Sequence, residues 1–366
     1  MSPAIPPGLL PRDGRFGSGP SKIRREQLDE LASSPLLGTS HRQVPVRSLV
    51  AEIRSGLVDL FGAPNGWEVL LGNGGATAFW DAALFGLVEH HSAHLVFGEF
   101  SSKFAEASAA APHLNDPHVM SGEPGTVPAL QQTTADAICL THNETSTGAS
   151  LDLSAARSAG DGLVLVDATS AAGAMPVPLD QVDVYYFSPQ KAMGADGGVW
   201  FALCSPNAVA RIESLRRSRW SPAFLDLGAA LDNSRLDQTL NTPAISTLVL
   251  IGSQLRWMLG RGGLEWAAAR SAESSSMVYQ WAERSEWASP FVREPRHRSP
   301  VVATVDLEGV DAAAVCAALR DNGIVDTEPY RKLGRNQVRI GTFPSVELDD
   351  VGRLLTCIDW VVERLT

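Results

Sequence analysis

Two residues in this chain join chemical capacity to an unusual setting. Lys191 ends the run Tyr185-Tyr186-Phe187-Ser188-Pro189-Gln190-Lys191, and Gly194, Gly197 and Gly198 follow it closely. A short apolar run bounded by turn residues reads as a strand buried on both faces, where an ammonium is costly unless it loses its proton or gains a partner. A desolvated lysine has a depressed pKa, and its free amine forms a Schiff base with an aldehyde or ketone. Taken alone, Lys191 is better read as a solvated lysine in a loop after a strand. Upstream, Leu163-Val164-Leu165-Val166 ends in Asp167 and is followed by Ala168-Thr169-Ser170-Ala171-Ala172-Gly173. An acid there stands at the carboxyl end of a parallel strand, where open α/β sheets place ligands, and the small residues after it allow close approach. Pyridoxal phosphate needs such a pair: an acid that keeps the ring nitrogen protonated and a lysine that holds the aldehyde.

The surrounding elements must then supply an anion site. Trp67 to Leu71 reads as a strand, Gly72-Asn73-Gly74-Gly75-Ala76-Thr77 as a turn, and the Ala-rich stretch to about Val88 as a helix. Strand, glycine turn and helix N-terminus form a phosphate cradle, with Gly75, Ala76 and Thr77 as donors. As a dinucleotide fingerprint the turn fails, because Thr77 takes the third glycine position. Phe100, in a strand-to-helix turn, reads either as packing or as a ring that stacks on a planar ligand. Thr145, in the polar loop His142 to Gly148, is placed to bond a cofactor hydroxyl. His41 and Arg42 precede a helix and read as a solvated turn or as a carboxylate clamp. Asn241 and Thr242 lie before another helix, where capping is the simpler role. The segment 328–339 carries Arg331, Lys332, Arg335 and Arg339, the best anion-binding candidate in the second half of the chain. His90, His91 and His94 read as solvated surface, and 220–239 as irregular.

Strands alternating with helices predict an α/β fold with a mostly parallel sheet. The 366-residue length favours two domains. We divide the chain into an irregular arm (1–20), a large domain (21–260) and, after Gly260, Gly262 and Gly263, a smaller C-terminal α+β domain (261–366). Hydrophobic residues at 44% and charged ones at 19% give enough burial capacity to exclude disorder. A net charge of -11 disfavours general nucleic-acid binding and requires any anionic ligand to find a local basic pocket. Cys139, Cys204, Cys316 and Cys357 lack CxxC spacing, which argues against a disulfide framework and a zinc site. No membrane-length apolar segment occurs, and Met1 to Leu10 lacks a basic region before an apolar one, so a cytoplasmic location is expected.

With these residues in place, the chain closely resembles the phosphoserine aminotransferase family of fold type I pyridoxal-phosphate enzymes, in its actinobacterial form. The likeness runs from residue 11 to the C-terminus through GTSHRQ (38–43), LGNGGATAFWDAA (71–83), HNETSTG (142–148), DATS (167–170), SPQK (188–191), NTPAI (241–245) and GIVDTEPYRKLGRNQ (323–337). Ala76 stands where many members carry Arg, Phe100 where many carry Trp, and Tyr330 where many carry His.

The resemblance implies that Lys191 is the Schiff-base lysine, Asp167 the partner of the ring nitrogen, Phe100 the stacking aromatic and Thr145 the partner of the ring hydroxyl. It implies that Gly75, Ala76 and Gln190 hold the cofactor phosphate together with Asn241 and Thr242 of a second subunit, hence a homodimer. His41 and Arg42 from the neighbour, with Arg331 and Arg339, would bind substrate phosphate and carboxylate groups. The implied reaction moves an amino group from L-glutamate to 3-phosphohydroxypyruvate, giving O-phospho-L-serine and 2-oxoglutarate in serine synthesis, with a related ketoacid of cofactor synthesis as a further substrate. The alternatives are an aminotransferase for glyoxylate or pyruvate, which needs fewer cations, and a regulator or scaffold of the same fold, which needs neither Lys191 nor Asp167.

Overall fold

The structure, a computed structural model, describes residues 3–365. In chain order its helices are α1 (Arg25–Ser33), α2 (Val44–Phe61), α3 (Ala76–Gly86), α4 (Glu99–Ala110), α5 (Pro206–Ser218), α6 (Leu227–Arg235), α7 (Ile245–Leu259), α8 (Gly263–Arg284), α9 (Ala312–Asp321) and α10 (Leu348–Leu365). The strands are β1 (Glu68–Asn73), β2 (Ser92–Val96), β3 (His118–Ser121), β4 (Ala137–Thr141), β5 (Asn143–Glu144), β6 (Ala149–Ser150), β7 (Leu163–Asp167), β8 (Val184–Phe187), β9 (Val199–Cys204), β10 (Ala288–Pro290), β11 (Val302–Leu307) and β12 (Gln337–Gly341).

Seven strands form one sheet in the order β1-β9-β8-β7-β4-β2-β3, in which β9 alone runs against its neighbours. Every residue of β4, β7 and β8 is buried, because helices cover both faces. The period-two alternation sorts the side chains. Val164, Val166, Tyr185 and Phe187 join the core beneath α2 and α7, while Leu163, Leu165, Val184 and Tyr186 join the one beneath α3 and α5. Asp167 is the last residue of β7, in register with Thr141 of β4 and Tyr186 of β8. That register opens the carboxylate at the sheet's carboxyl edge, where the loops after three strands converge.

A second core lies around the antiparallel sheet β10-β11-β12, covered by α9, α10 and the C-terminal half of α8. Ile5 and Phe16 of the N-terminal arm are buried in it. The arm continues past Phe16 to the main sheet, where Ser21 donates its amide to the Gln190 carbonyl at 2.9 Å. One stretch of irregular chain thus ties the second core to the loop carrying Lys191.

Two local expectations fail. The segment 220–239 contains the helix α6, whose N-cap Asp226 accepts from the Gly228 and Ala229 amides and whose Leu227, Ala230 and Leu231 are buried. His94 is no surface residue. It is 1% exposed, bonds Ser92 Oγ at 2.8 Å and meets the Phe104 ring edge-on, because β2 is an interior strand.

Candidate active site

A cavity of about 430 Å³ opens at the carboxyl edge of the sheet, lined among others by Gly75, Ala76, Phe100, Thr145, Asp167, Gln190 and Lys191. With Thr77, which also lines it, eight of the sequence-derived candidates therefore meet in one place. The strand ends explain it: Asp167 closes β7, Lys191 follows β8, Thr145 follows β4 and β5, and Gly75 caps α3 after β1.

Lys191 is 8% exposed, and its Nζ donates to the Ser18 carbonyl of the arm at 2.6 Å. Burial, reinforced by the Arg339 charge and only partly offset by Asp167 and Glu144, lowers its pKa to about 7. The amine is then substantially unprotonated near neutrality, the state a Schiff base requires. The arm fits closely against it. A Cβ at Gly19, whose φ is +138°, would stand 2.0 Å from Nζ.

Asp167 accepts from Trp80 Nε1 at 3.0 Å and from the Thr169 amide at 2.8 Å. Burial pushes its pKa up against those donors. Among the described residues it makes no ion pair, and Lys191 Nζ turns away to Ser18. A buried carboxylate with neutral donors only is stabilised by a cation brought in from outside, as a protonated ring nitrogen would be.

Gly74 (φ +104°) makes the turn into α3, and its amide binds the Gly198 carbonyl at 3.0 Å. The Gly75 side of the turn is open, for a Cβ there would meet only Ser188 Oγ, at 3.8 Å. Gln190 Oε1 nearby is buried without a hydrogen-bond partner among the described residues. Phe100 lies in the first turn of α4 rather than in the turn that precedes it. Cavity size, an uncompensated acid, an unprotonated lysine, an open helix N-terminus and an aromatic wall together fit pyridoxal phosphate.

The four cations of 328–339 divide. Arg335 is held by a two-pronged pair with Asp306 and lies over the Phe291 ring, and Lys332 is paired with Glu99. Arg339 has no carboxylate partner among the described residues. Its guanidinium donates to the Thr145 carbonyl at 3.2 Å and lies 5.5 Å from the Tyr330 ring centre, while its Nε is buried and unpaired. Burial lowers its pKa. Arg331 is exposed, and its side chain makes no hydrogen bond or ion pair among the described residues. Arg335 and Lys332 are thus committed to carboxylates within the chain, and Arg331 and Arg339 remain for an anion.

His41, Arg42, Asn241 and Thr242 fall outside the cavity lining, on a rim beside the glycine turn. His41 Nδ1 lies 3.2 Å from Thr242 Oγ1, and Arg42 donates to Gln238 Oε1 at 2.8 Å and to the Leu240 carbonyl at 3.2 Å. Asn73 Nδ2 donates to the Asn241 and Thr242 carbonyls at 3.3 and 3.0 Å. Neither Asn241 nor Thr242 is the N-cap of α7, which is Ala244.

Sequence reasoning missed Trp80 and Ser18. Trp80 had a signal, since it follows Thr77 by three residues and so shares the helix face of the phosphate-cradle donors. Ser18 acts through its carbonyl, which leaves no trace in residue type.

Comparison with known proteins places the chain. The class-V aminotransferase family model matches residues 23–327. A phosphoserine aminotransferase of Rhodococcus opacus is 54% identical over 369 aligned residues, covering 100% of this chain and 99% of that one. Among solved structures, a phosphoserine aminotransferase from Cytophaga hutchinsonii superposes with a TM-score of 0.89 at 23% identity, covering 95% of this chain and 99% of that chain. An aspartate aminotransferase of subgroup IV from Thermus thermophilus reaches 0.84 at 25% identity, covering 96% and 99%. The lysine, the acid and the cradle thus lie on a fold shared across aminotransferases, and this chain belongs to the class-V aminotransferase family.

Proposed function

We propose that the protein is a pyridoxal-phosphate-dependent phosphoserine aminotransferase, moving an amino group reversibly between L-glutamate and 3-phosphohydroxypyruvate to give O-phospho-L-serine and 2-oxoglutarate in serine synthesis. The observation that carries this reading is the buried Lys191 with a pKa of about 7, sharing one cavity with an acid that lacks an ion pair, while Arg339 lies behind the wall, bonded to the Thr145 carbonyl and with its charge felt at Lys191. A substrate bearing both carboxylate and phosphate needs more than one cation, and Arg331, which makes no ion pair among the described residues, is the second such cation in the segment 328–339.

When bound, pyridoxal phosphate supplies an aldehyde and an electron-accepting ring. Lys191 Nζ would hold the aldehyde and, once freed by the incoming amine, would take the proton from the donor's α-carbon and deliver it to the former aldehyde carbon. Asp167 keeps the ring nitrogen protonated, with Trp80 and Thr169 orienting its two oxygens. Phe100 and Thr145 would wall the ring, and the Gly75 and Ala76 amides with Gln190 would receive the phosphate. Each substrate in turn uses the same groups, so the kinetics are ping-pong.

The reading extends to a homodimer in which Asn241 and Thr242 of the partner subunit complete the phosphate site, and His41 and Arg42 of the partner subunit the substrate site. The rim carrying these residues is apolar at its margins: Val44 is 69% exposed, Leu236 54% and Phe224 52%. Exposed side chains of that size cluster where another surface covers them. The proposed units are the arm 1–20, a cofactor-bearing unit 21–260 and a unit 261–366 that brings Arg331 and Arg339. A cytoplasmic location completes the reading, and among the described residues no helix is long and apolar enough to cross a membrane.

The test is a half-reaction. Holoprotein mixed with O-phospho-L-serine should release 3-phosphohydroxypyruvate and be restored by 2-oxoglutarate, with L-serine and L-alanine at least a hundredfold poorer donors. Equal use of L-alanine would assign a different aminotransferase. Light scattering with and without cofactor tests the dimer, and a fully active monomer would refute the shared site.

A further inference from the structure

Glu144 belongs to no step of the reaction just described, yet it is the most completely enclosed acid near the cavity. It is 0% exposed, and among the described residues it makes no ion pair. Its carboxylate is instead surrounded by donors. Oε2 accepts from the Ser101 amide at 3.0 Å, the Ser101 hydroxyl at 2.9 Å and the Phe100 amide at 3.2 Å. Oε1 accepts from the Ser146 hydroxyl at 2.7 Å and its amide at 3.3 Å. The Ser146 oxygen in turn accepts from the Glu99 amide at 3.0 Å. The first three amides of α4, which have no partners within their helix, are thus all satisfied by Glu144 directly or through Ser146. An anion at that helix end is also favoured by the helix dipole.

The neighbours of this knot are the two side walls of the cavity. Phe100 is one of the residues whose amide Glu144 binds, and Thr145 is the residue that follows Glu144. Space is reserved for the contact, because a Cβ at Gly98 would come within 2.2 Å of Glu144 Cγ. The φ of Gly98 is 175°, ordinary extended backbone, so the glycine is required there by room for the acid.

We propose that Glu144 is a positioning residue: its carboxylate locks the N-terminus of α4 to the loop after β5, fixing Phe100 and Thr145 at a set separation across the cofactor ring. The proposal rests on the reading of the cavity as a pyridoxal-phosphate site. Three of the five donors are backbone amides, which can only donate, and they reach both oxygens, so an acceptor is needed at each. Glutamine presents an amide donor to one cluster of donors and so breaks half of the knot while keeping the volume.

The experiment uses the full chain and pyridoxal phosphate itself. For Glu144→Gln, far-UV circular dichroism should be unchanged, the cofactor should dissociate at least tenfold faster, and its induced visible circular dichroism, which reports the asymmetry of the ring's walls, should weaken. Phe100→Ala alone should raise dissociation similarly, and adding Glu144→Gln to it should cost much less than in the wild type, because the acid acts partly through that ring. Wild-type dissociation and dichroism in Glu144→Gln, or full additivity with Phe100→Ala, would overturn the proposal. If the glutamine variant fails to fold, Ser146→Ala, which removes the bridge to the Glu99 amide, decides in the same assay by the same criteria. Absence of lysine-dependent cofactor binding in the wild type would refute the reading of the cavity, a result distinct from all of these.

Discussion

The floor of the cavity and its rim are built on opposite principles. On the floor, Asp167, Thr145 and Lys191 are each less than 9% exposed and stand at or just beyond the ends of interior strands. Their chemistry is set by removal from water: burial lowers the Lys191 pKa and raises that of Asp167. On the rim, Arg42, Asn241, Thr242 and Arg331 are exposed, and burial gives them no special property. A buried group carries its function in the folded chain itself, whereas an exposed one acquires it from whatever arrives, whether substrate or second subunit.

The largest expected loss is on the floor. Lys191→Ala removes both the attachment point and the base, and transamination should fall by roughly a thousandfold or more, measured by glutamate formation. Gly19→Ala tests the floor without replacing a reactive group. Its Cβ would need the space of Lys191 Nζ and a left-handed backbone, and a displacement of that order should cost about a hundredfold in the rate of cofactor capture, with the fold retained. An unchanged rate would mean that the arm yields freely.

Arg339 lies between floor and rim. Arg339→Ala should reduce kcat/KM for O-phospho-L-serine by at least about thirtyfold, as loss of one member of a buried charge contact does. The buried histidines give a smaller effect, on stability. His142, bonded to Tyr185 Oη beneath the cavity, has its pKa lowered to about 4 and His94 to about 3, both by burial. The unfolded chain binds these protons near pH 6.5 and the folded chain does not, so stability is complete above that pH and falls as pH drops toward 4. At pH 5 each histidine should cost roughly 2 kcal/mol at about 1.4 kcal/mol per pH unit, read by urea unfolding, and His94→Gln should recover part of it. Arg335→Ala should do least. Its pair with Asp306 is partly exposed, so about 1 kcal/mol or less of stability is lost, and kcat/KM is unchanged. A kinetic loss at Arg335 equal to that at Arg339 would erase the division of the four cations.

The same contrast explains what the sequence reveals. Asp167 and Lys191 are legible because a charge at the end of an apolar strand conflicts with its surroundings, and the glycine turn is legible because it stands between strand and helix. Arg331 and Arg339 were legible as a basic segment in an acidic chain, while their separation from Lys332 and Arg335 depends on Glu99 and Asp306, which are distant in sequence. Trp80, Ser18 and Glu144 are hidden for a related reason: each works through a partner brought by the fold. The helix α6 is legible in Asp226 and the Leu-x-x-Ala-Leu spacing after it, which carry a cap and an apolar face within an otherwise irregular stretch. Neighbouring histidines point His94 toward the surface in the sequence, whereas an interior strand buries its residues whatever their polarity.

The most direct measurement of the central claim is the visible absorbance of the wild type, Lys191→Ala and Asp167→Asn after addition of pyridoxal phosphate, recorded from pH 5.5 to 9. The account predicts a lysine-dependent band in the wild type that forms increasingly fast as pH rises through about 7, that O-phospho-L-serine and L-glutamate both discharge, that Lys191→Ala lacks, and that Asp167→Asn forms but discharges slowly. A band of equal intensity in Lys191→Ala, or one whose formation accelerates only above pH 10, would contradict it.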